Sequence, residues 1–366
     1  MNVVRDAHLS MPTVNQILAA LQEEGYVTPA GNARPRSGRP PVLYQFNPAV
    51  RYAIGVEIKI PRISIGLVDL HRALVRIAEY PFDENATSES VVDTMNRGIT
   101  EVLNAQQADA GKLVGIGLGV PGFVERDSGV WLRFPRTPQI RDFPLRALLS
   151  ERFRVPVYIQ NEANVCASAE LERDPSRSEG DVLVIACFEG LKASVVVDGR
   201  VLSGDHGNFG SVGHLIAVEN GRLCFCGIRG CLEMYASGYA IRQEVKAQGA
   251  AITGIDDSDD PLLPDRIFRL AAEGHPSCRE IVQGVVPHMA RAFATLIRLT
   301  DIDRIILLGA YAEGGDYLRD LLYQEVAPRL PQVLGTGLSI RLGKRLATED
   351  IVVSAAMPAI RGHLGL

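Results

Sequence analysis

No apolar run in this chain of 366 residues reaches the roughly 20 residues that a membrane-crossing helix requires, so no spanning segment is expected. The opening residues, Met-Asn-Val-Val-Arg-Asp-Ala-His, lack the apolar core of a secretory signal. A general excess of positive charge is missing too. The 38 lysines and arginines face 43 acids, a formal net charge of −5, so a nucleic-acid surface has to be a local patch. Cysteine is scarce, six in all, and three of the six crowd into one stretch. That usage suits a reducing cytoplasm rather than a disulfide framework. Acid is absent from one long interval. Between Glu24 and Glu57 there is no Asp or Glu, while Arg34, Arg36, Arg39 and Arg51 are present. The remainder is ordinary globular usage, 46% apolar and 22% charged, in a chain long enough for two or three domains. These absences together predict a soluble cytoplasmic protein.

The three crowded cysteines are Cys224, Cys226 and Cys231, spaced C-x-C-x4-C, with His214 ten residues upstream of the first. Three thiolates and one imidazole complete a tetrahedral Zn2+ shell with no open position, which is a structural rather than a catalytic site. Gly227 and Gly230 suit a chain wrapping tightly round an ion, because glycine accepts positive φ. A chance group of core cysteines is the plainer alternative, and it is accepted for Cys166, Cys187 and Cys278. A disulfide is the weaker rival. Cys224 and Cys226 are too close in sequence to pair easily, and three thiols leave one over.

Cys-Phe-Cys-Gly-Ile-Arg-Gly-Cys-Leu-Glu at 224–233 resembles the C-x-C-G-x-x-G-C-x-E signature of the ROK family, whose repressors and sugar kinases share one fold. Gly213-His214 is similar to that family's G-x-G-H element. The resemblance implies that His214, Cys224, Cys226 and Cys231 bind zinc and that His214 and Glu233 hold a sugar. It covers nearly the whole chain.

Residues 10–24 read as one amphipathic helix, capped by Ser10, with Pro12 in its first turn. Val14, Ile17, Leu18 and Leu21 make one stripe at i, i+3, i+4, i+7, expected to be buried. Ser10, Thr13, Asn15 and Gln16 lie off it, short polar side chains able to reach base edges or phosphates. Gly25 ends the helix, and strands at Tyr26-Val27 and 42–46 enclose a loop carrying Arg34, Arg36, Gly38 and Arg39. Helix, strand, basic loop, strand is a winged helix-turn-helix outline, and a Gly-Arg-Pro tip suits DNA backbone or a minor groove. Leu9 to Val27 resembles the recognition helix of ROK repressors, and Ser37-Gly38-Arg39-Pro40 their wing. A small helical cap with a solvated basic loop would give the same pattern. Only Asn2 to His8 precede Leu9, room for a short positioning helix, so a first helix is expected to be missing and the stripe partly uncovered.

From Arg51 three strand-like runs are followed by alternating helices and strands, and that order begins again at Asp181. The predicted fold class is α/β: two ribonuclease-H-like lobes, the actin-like sugar-kinase fold, behind a small N-terminal winged helix-turn-helix domain. The predicted domains are a head at 1–50, a first lobe at 51–172 completed by a C-terminal helix at 351–366, and a second lobe with the zinc loop at 173–350.

Phosphoryl transfer needs backbone N–H groups close to phosphates. ROK kinases read D-x-G-G-T at the first turn, where this chain has Glu57-Ile-Lys59-Ile60-Pro61. Their second phosphate loop, G-T-G-I-G-x-G, corresponds to Phe188-Glu189-Gly190-Leu191-Lys192-Ala193-Ser194, with one glycine of four. ATP binding is therefore not expected. Asn161-Glu162-Ala163-Asn164 resembles the family's N-D-A-N, which makes Asn161 and Glu162 candidate sugar ligands. Ser211 replaces a family glutamate, and Arg136 replaces a sugar-binding Asn. These two changes predict a sugar-like, possibly anionic, effector paired by Arg136. The expected protein is a non-enzymatic ROK-type regulator, a homodimer or dimer of dimers, that binds operator DNA, carries structural Zn2+ and senses a small molecule. The alternatives are a sugar kinase with degenerate loops and an effector-binding protein that no longer binds DNA.

Overall fold

In a computed structural model of the chain, every residue is described except 1–2, 33–41, 108–109, 175–179, 205, 207–208, 249–259, 261 and 333–336. The head comprises α1 (Val3–Asp6), α2 (Met11–Glu23), β1 (Val27–Asn32) and β2 (Val42–Phe46), the strands paired antiparallel. Ser10 caps α2 as expected, its Oγ accepting from the Thr13 N–H at 3.4 Å. Gly25, at φ +83°, turns the chain out of the helix. The buried stripe is only partly realised. Val14 is buried and Leu18 and Leu21 half-buried, but Ile17 is 43% exposed. A two-stranded sheet and a four-residue helix offer too little surface to cover all four. Ser10, Thr13, Asn15 and Gln16 are exposed. Arg34, Arg36, Gly38 and Arg39 lie outside the described residues.

Two five-stranded sheets form the body, and they have the same order. In the first, β3 (Tyr52–Lys59), β4 (Arg62–Asp69) and β5 (Leu74–Pro81) form an antiparallel meander, and β6 (Leu113–Val120) and β10 (Val157–Asn161) add in parallel on the other side of β3. In the second, β11 (Val182–Cys187), β12 (Leu191–Val197) and β13 (Arg200–Val201) form the meander, and β14 (Arg304–Gly309) and β15 (Ser339–Leu342) the parallel pair. A sequence with no clear repeat thus builds one topology twice. Within the first lobe, a small sheet of β7 (Phe123–Glu125), β8 (Val130–Arg133) and β9 (Arg141–Phe143) was not anticipated. Its Trp131 is fully buried and donates its indole N–H to the Pro121 carbonyl at 2.7 Å.

The helices are α3 (Ser88–Ala105), α4 (Leu145–Phe153), α5 (Glu162–Arg173), α6 (Glu233–Ala236), α7 (Gly238–Gln248), α8 (Leu263–Glu273), α9 (Pro276–Thr300), α10 (Ala310–Glu313), α11 (Gly315–Val326) and α12 (Thr348–Leu364). Among the described residues none is long and apolar enough to cross a membrane. Helix α5 ends at the expected lobe boundary, yet its Ala163, Val165, Cys166 and Leu171 pack with Val182, Val184 and Ile306 of the second sheet. It belongs to the seam between lobes rather than to one of them.

Helix α12 folds back on the first sheet, as predicted from its sequence position. Its seat is a row of glycines: Gly66, Gly55 and Gly117 are neighbours across β4, β3 and β6. A Cβ on Gly55 would stand 1.9 Å from the Val352 carbonyl oxygen, and one on Gly117 would stand 1.8 Å from that of Ala355. Strand glycine costs stability in isolation, and here it admits backbone to backbone. Gly117→Ala must lift α12 or bend β6. We expect a loss of about 1–3 kcal/mol or more, read as a lower thermal midpoint. A variant that melts with the wild type would mean that α12 does not sit on this row.

Candidate functional site: an interlobe cleft beside a cysteine–histidine cluster

The zinc motif folds as a compact loop between a 3-10 turn at Val212–His214 and α6. Gly227 and Gly230 adopt φ +92° and +86°, and a Cβ on Gly230 would stand 1.8 Å from the Val218 carbonyl oxygen. This wrapping brings His214, Cys224, Cys226 and Cys231 together, with one ligand atom from each lying within 4.8 Å of all the others. His214 Nδ1 is 3.7 Å from Cys224 Sγ, and Cys226 Sγ is 3.6 Å from Cys231 Sγ. A tetrahedron with metal–sulfur bonds of about 2.3 Å has edges of about 3.8 Å, so the donor set fits Zn2+. All six cysteines are free thiols, so the disulfide alternative is not realised. Bound there, the metal would supply rigidity and no open coordination position. The His214 ring stacks on Phe123 at 5.3 Å, a neighbour that no motif singled out.

A cleft of about 820 Å³ runs between the lobes, and all six predicted ligand residues line it: Arg136, Asn161, Glu162, Ser211, His214 and Glu233. Each is positioned by its element. Asn161 ends β10 and caps α5, its Oδ1 accepting from the Ala163 N–H at 3.0 Å and its Nδ2 donating to the Gly122 carbonyl at 2.8 Å. Glu162 is the first residue of α5 and faces the cleft. Glu233 opens α6 and accepts the Leu191 N–H at 2.9 Å. Only glycine fits opposite it, because a Cβ on Gly213 would meet Glu233 Oε2 at 2.3 Å.

Arg136 does not offer a free charge. Its guanidinium pairs with Glu84 and lies 3.3 Å from Glu189, which also holds the buried Arg242. Among the described lining residues, nine carboxylates face six lysines and arginines. The expected anionic effector loses its support, since an incoming anion would compete with carboxylates already in place. Glu84 and Arg242 are distant in sequence from Arg136 and belong to no motif, so nothing in the sequence pointed to the pairing.

The turn after β3 carries a second charged group. Lys59 Nζ donates to Glu57 Oε1 at 2.7 Å. Burial pushes the Glu57 carboxyl above its ordinary range, against the pull of the Lys59 ammonium. Burial is also the main cause that lifts Glu162 to about 7, helped by the Glu57 carboxylate and opposed by Lys59 and Lys192. Burial lowers Lys192 to about 8. Where a phosphate-binding turn would present bare N–H groups, this cleft presents carboxylates and ammonium groups in opposition.

Two ribonuclease-H-like lobes enclosing a cleft, with a Cys3His loop on its wall, define the class of the actin-like sugar-kinase fold. The chain belongs to the ROK family, whose profile matches residues 53–346. A xylose repressor of Caldicellulosiruptor bescii is 31% identical over 332 residues, spanning 88% of this chain and 81% of that protein. A glucokinase of Halalkalibacterium halodurans is 27% identical over 290 residues, 77% of this chain and 88% of that one. Among solved structures, a ROK-family transcriptional regulator described as a homologue of Escherichia coli Mlc superposes with a TM-score of 0.80 at 22% identity, covering 98% of this chain and 91% of its own.

Protein purified without a histidine tag should carry one Zn2+ per chain, and Cys231→Ser should lose the metal and lower the melting temperature by several degrees or more. Well-folded protein with far less than one zinc would refute the four-ligand assignment. Glu162 gives a pH test. Its folded value of about 7 lies above the ordinary 4.5, so the protonated form is favoured by folding. Its contribution to stability is full below pH 4.5, falls as pH rises, and is gone above about 7. Glu162→Gln should therefore flatten the melting temperature against pH across that window. An unchanged profile would mean that the carboxyl is well solvated.

Proposed function

We propose that this protein is a ROK-type transcriptional repressor whose head binds operator DNA as a winged helix-turn-helix and whose cleft senses a neutral sugar. It acts without phosphoryl transfer, as a homodimer, with structural Zn2+ in the cysteine loop. One observation carries this: the sugar-facing set Asn161, Glu162, His214 and Glu233 is gathered in the cleft, while both phosphate turns are filled by Lys59, Pro61, Glu189 and Lys192. A proline has no N–H to give, and Glu189 would repel a triphosphate. The resemblance to a protein named xylose repressor favours a pentose as the first effector to try.

A route from cleft to head supports regulation. Helices α5 and α12 both begin in the cleft wall, at Glu162 and at Thr348. They pack side by side, the Ser354 hydroxyl donating to the Val165 carbonyl at 3.3 Å. At their far ends Glu172 of α5 binds Arg361 of α12 at 3.1 Å and Arg72 at 2.7 Å. Two residues on, His363 meets the head: its Nε2 lies 2.7 Å from the Tyr26 hydroxyl, with the rings stacked. Helix α12 has 17 residues, about 25 Å of rigid rod between effector and head. In a dimer reading two half-sites about 34–36 Å apart, a small rotation of each head would change operator affinity.

Genomic fragments captured by the purified protein should share a palindromic site, and xylose should shift affinity for that site several-fold. A coupled ADP assay with xylose and common hexoses should stay at background. Sugar-dependent ADP release would replace the repressor reading with the kinase one.

A further inference from the structure

The cleft is longer than one sugar ring requires. Its volume of about 820 Å³ lies towards the upper end of the ~300–1,000 Å³ typical of small-molecule pockets. His214 and Glu233 stand on the wall made by the zinc loop, and Glu57 and Lys59 at the end of β3 in the other lobe. Glu162, the first residue of α5 at the seam between the lobes, lines the same cleft.

The Glu57 side has polar capacity that the protein does not use. Glu57 is only 4% exposed. Its Oε1 takes the Lys59 ammonium, while its Oε2 is buried and has no hydrogen-bond partner among the described residues. A buried carboxylate oxygen without a donor is unfavourable until a ligand supplies one. The side chains of Glu162 and Lys192 both line the cleft and also make no hydrogen bond or ion pair among the described residues. The unused set therefore consists of two carboxyl groups and one amine, all lining the same cleft. An anion would be repelled by Glu57 and Glu162, and a cation by Lys59 and Lys192. Neutral vicinal hydroxyls match the set, because each hydroxyl both donates and accepts.

We propose that Glu57, Lys59 and Lys192 form a second saccharide subsite, continuous with the first at Glu162, so that the preferred effector is a disaccharide or longer oligosaccharide. The proposal rests on the sugar-sensing reading above and adds the size of the ligand to it. The first ring lies against His214 and Glu233. The second gives a hydroxyl proton to Glu57 Oε2 and accepts from the Lys192 ammonium.

Titration calorimetry on the full chain tests this with xylose against xylobiose and glucose against cellobiose. At least one disaccharide should bind about tenfold tighter than its monosaccharide, the worth of one charge-assisted hydrogen bond. Lys192→Met and Glu57→Gln should each bring that ratio close to one, with melting curves run in parallel. If Glu57→Gln does not fold, Lys192→Met alone decides. Monosaccharides binding as tightly as disaccharides would overturn the subsite and leave sugar sensing standing. So would a disaccharide preference that Lys192→Met leaves intact. Folded protein that binds none of the four sugars would overturn both.

Discussion

Backbone lies directly on backbone where α12 crosses the first sheet, and the rest of the molecule is arranged round that contact. Three glycines in adjacent strands remove the side chains that normally hold a helix about 10 Å from a sheet. The consequence is positional. A helix seated so closely has little freedom to slide, so its first turn is held at the cleft and its last at Tyr26. Helix α5, packed beside it and under the second sheet, ties the same seam to both lobes. The cleft wall and the head are therefore joined by one continuous packed path.

The electrostatics of the cleft follow a different logic from a phosphate site. Phosphate binding uses backbone N–H groups approached closely, which favours glycine at the turn. This cleft has exchanged that arrangement for long charged side chains that compensate one another: Glu57 with Lys59, and Glu189 with Arg136 and Arg242. Such pairs are costly to assemble in a half-buried site and do not by themselves add much stability. In the sugar-sensing role proposed above, their value would lie in recognition, because paired charges of both signs orient hydroxyl groups without favouring ions. The Cys3His cluster lies on the opposite wall, on the loop that carries His214 and leads into Glu233.

Much of this was legible in the amino-acid order. Period-two and period-3.6 patterns located most strands of both lobes and the helices near 91–105, 145–153, 163–171 and 277–299 to within a few residues. The second-lobe helices at 238–248, 263–273 and 315–326 were not singled out. The cysteine spacing identified the metal loop, since the ligands that matter lie within a short stretch and leave few ways to close. The small sheet at 123–143 was missed, because its strands are three or four residues long and separated by turns. The uncovered Ile17 shows the limit of periodicity. Spacing defines which face of a helix is apolar but says nothing about whether enough neighbouring surface exists to bury it.

What the sequence determined by itself was therefore local and chemical: the ligand types of the cluster, the scarcity of glycine at 57–61 and 188–194, most of the longer strands and helices, and the family. What only the tertiary structure decided was pairing over long separations. Arg136 looked like a free anion receptor until Glu84 and Glu189 stood beside it. Glu57, Lys59, Glu162 and Lys192 came to line one cleft only when two lobes folded face to face. Charge and hydrogen-bonding capacity depend on neighbours a few ångströms away, and for Arg136 those neighbours come from segments about fifty residues away on either side.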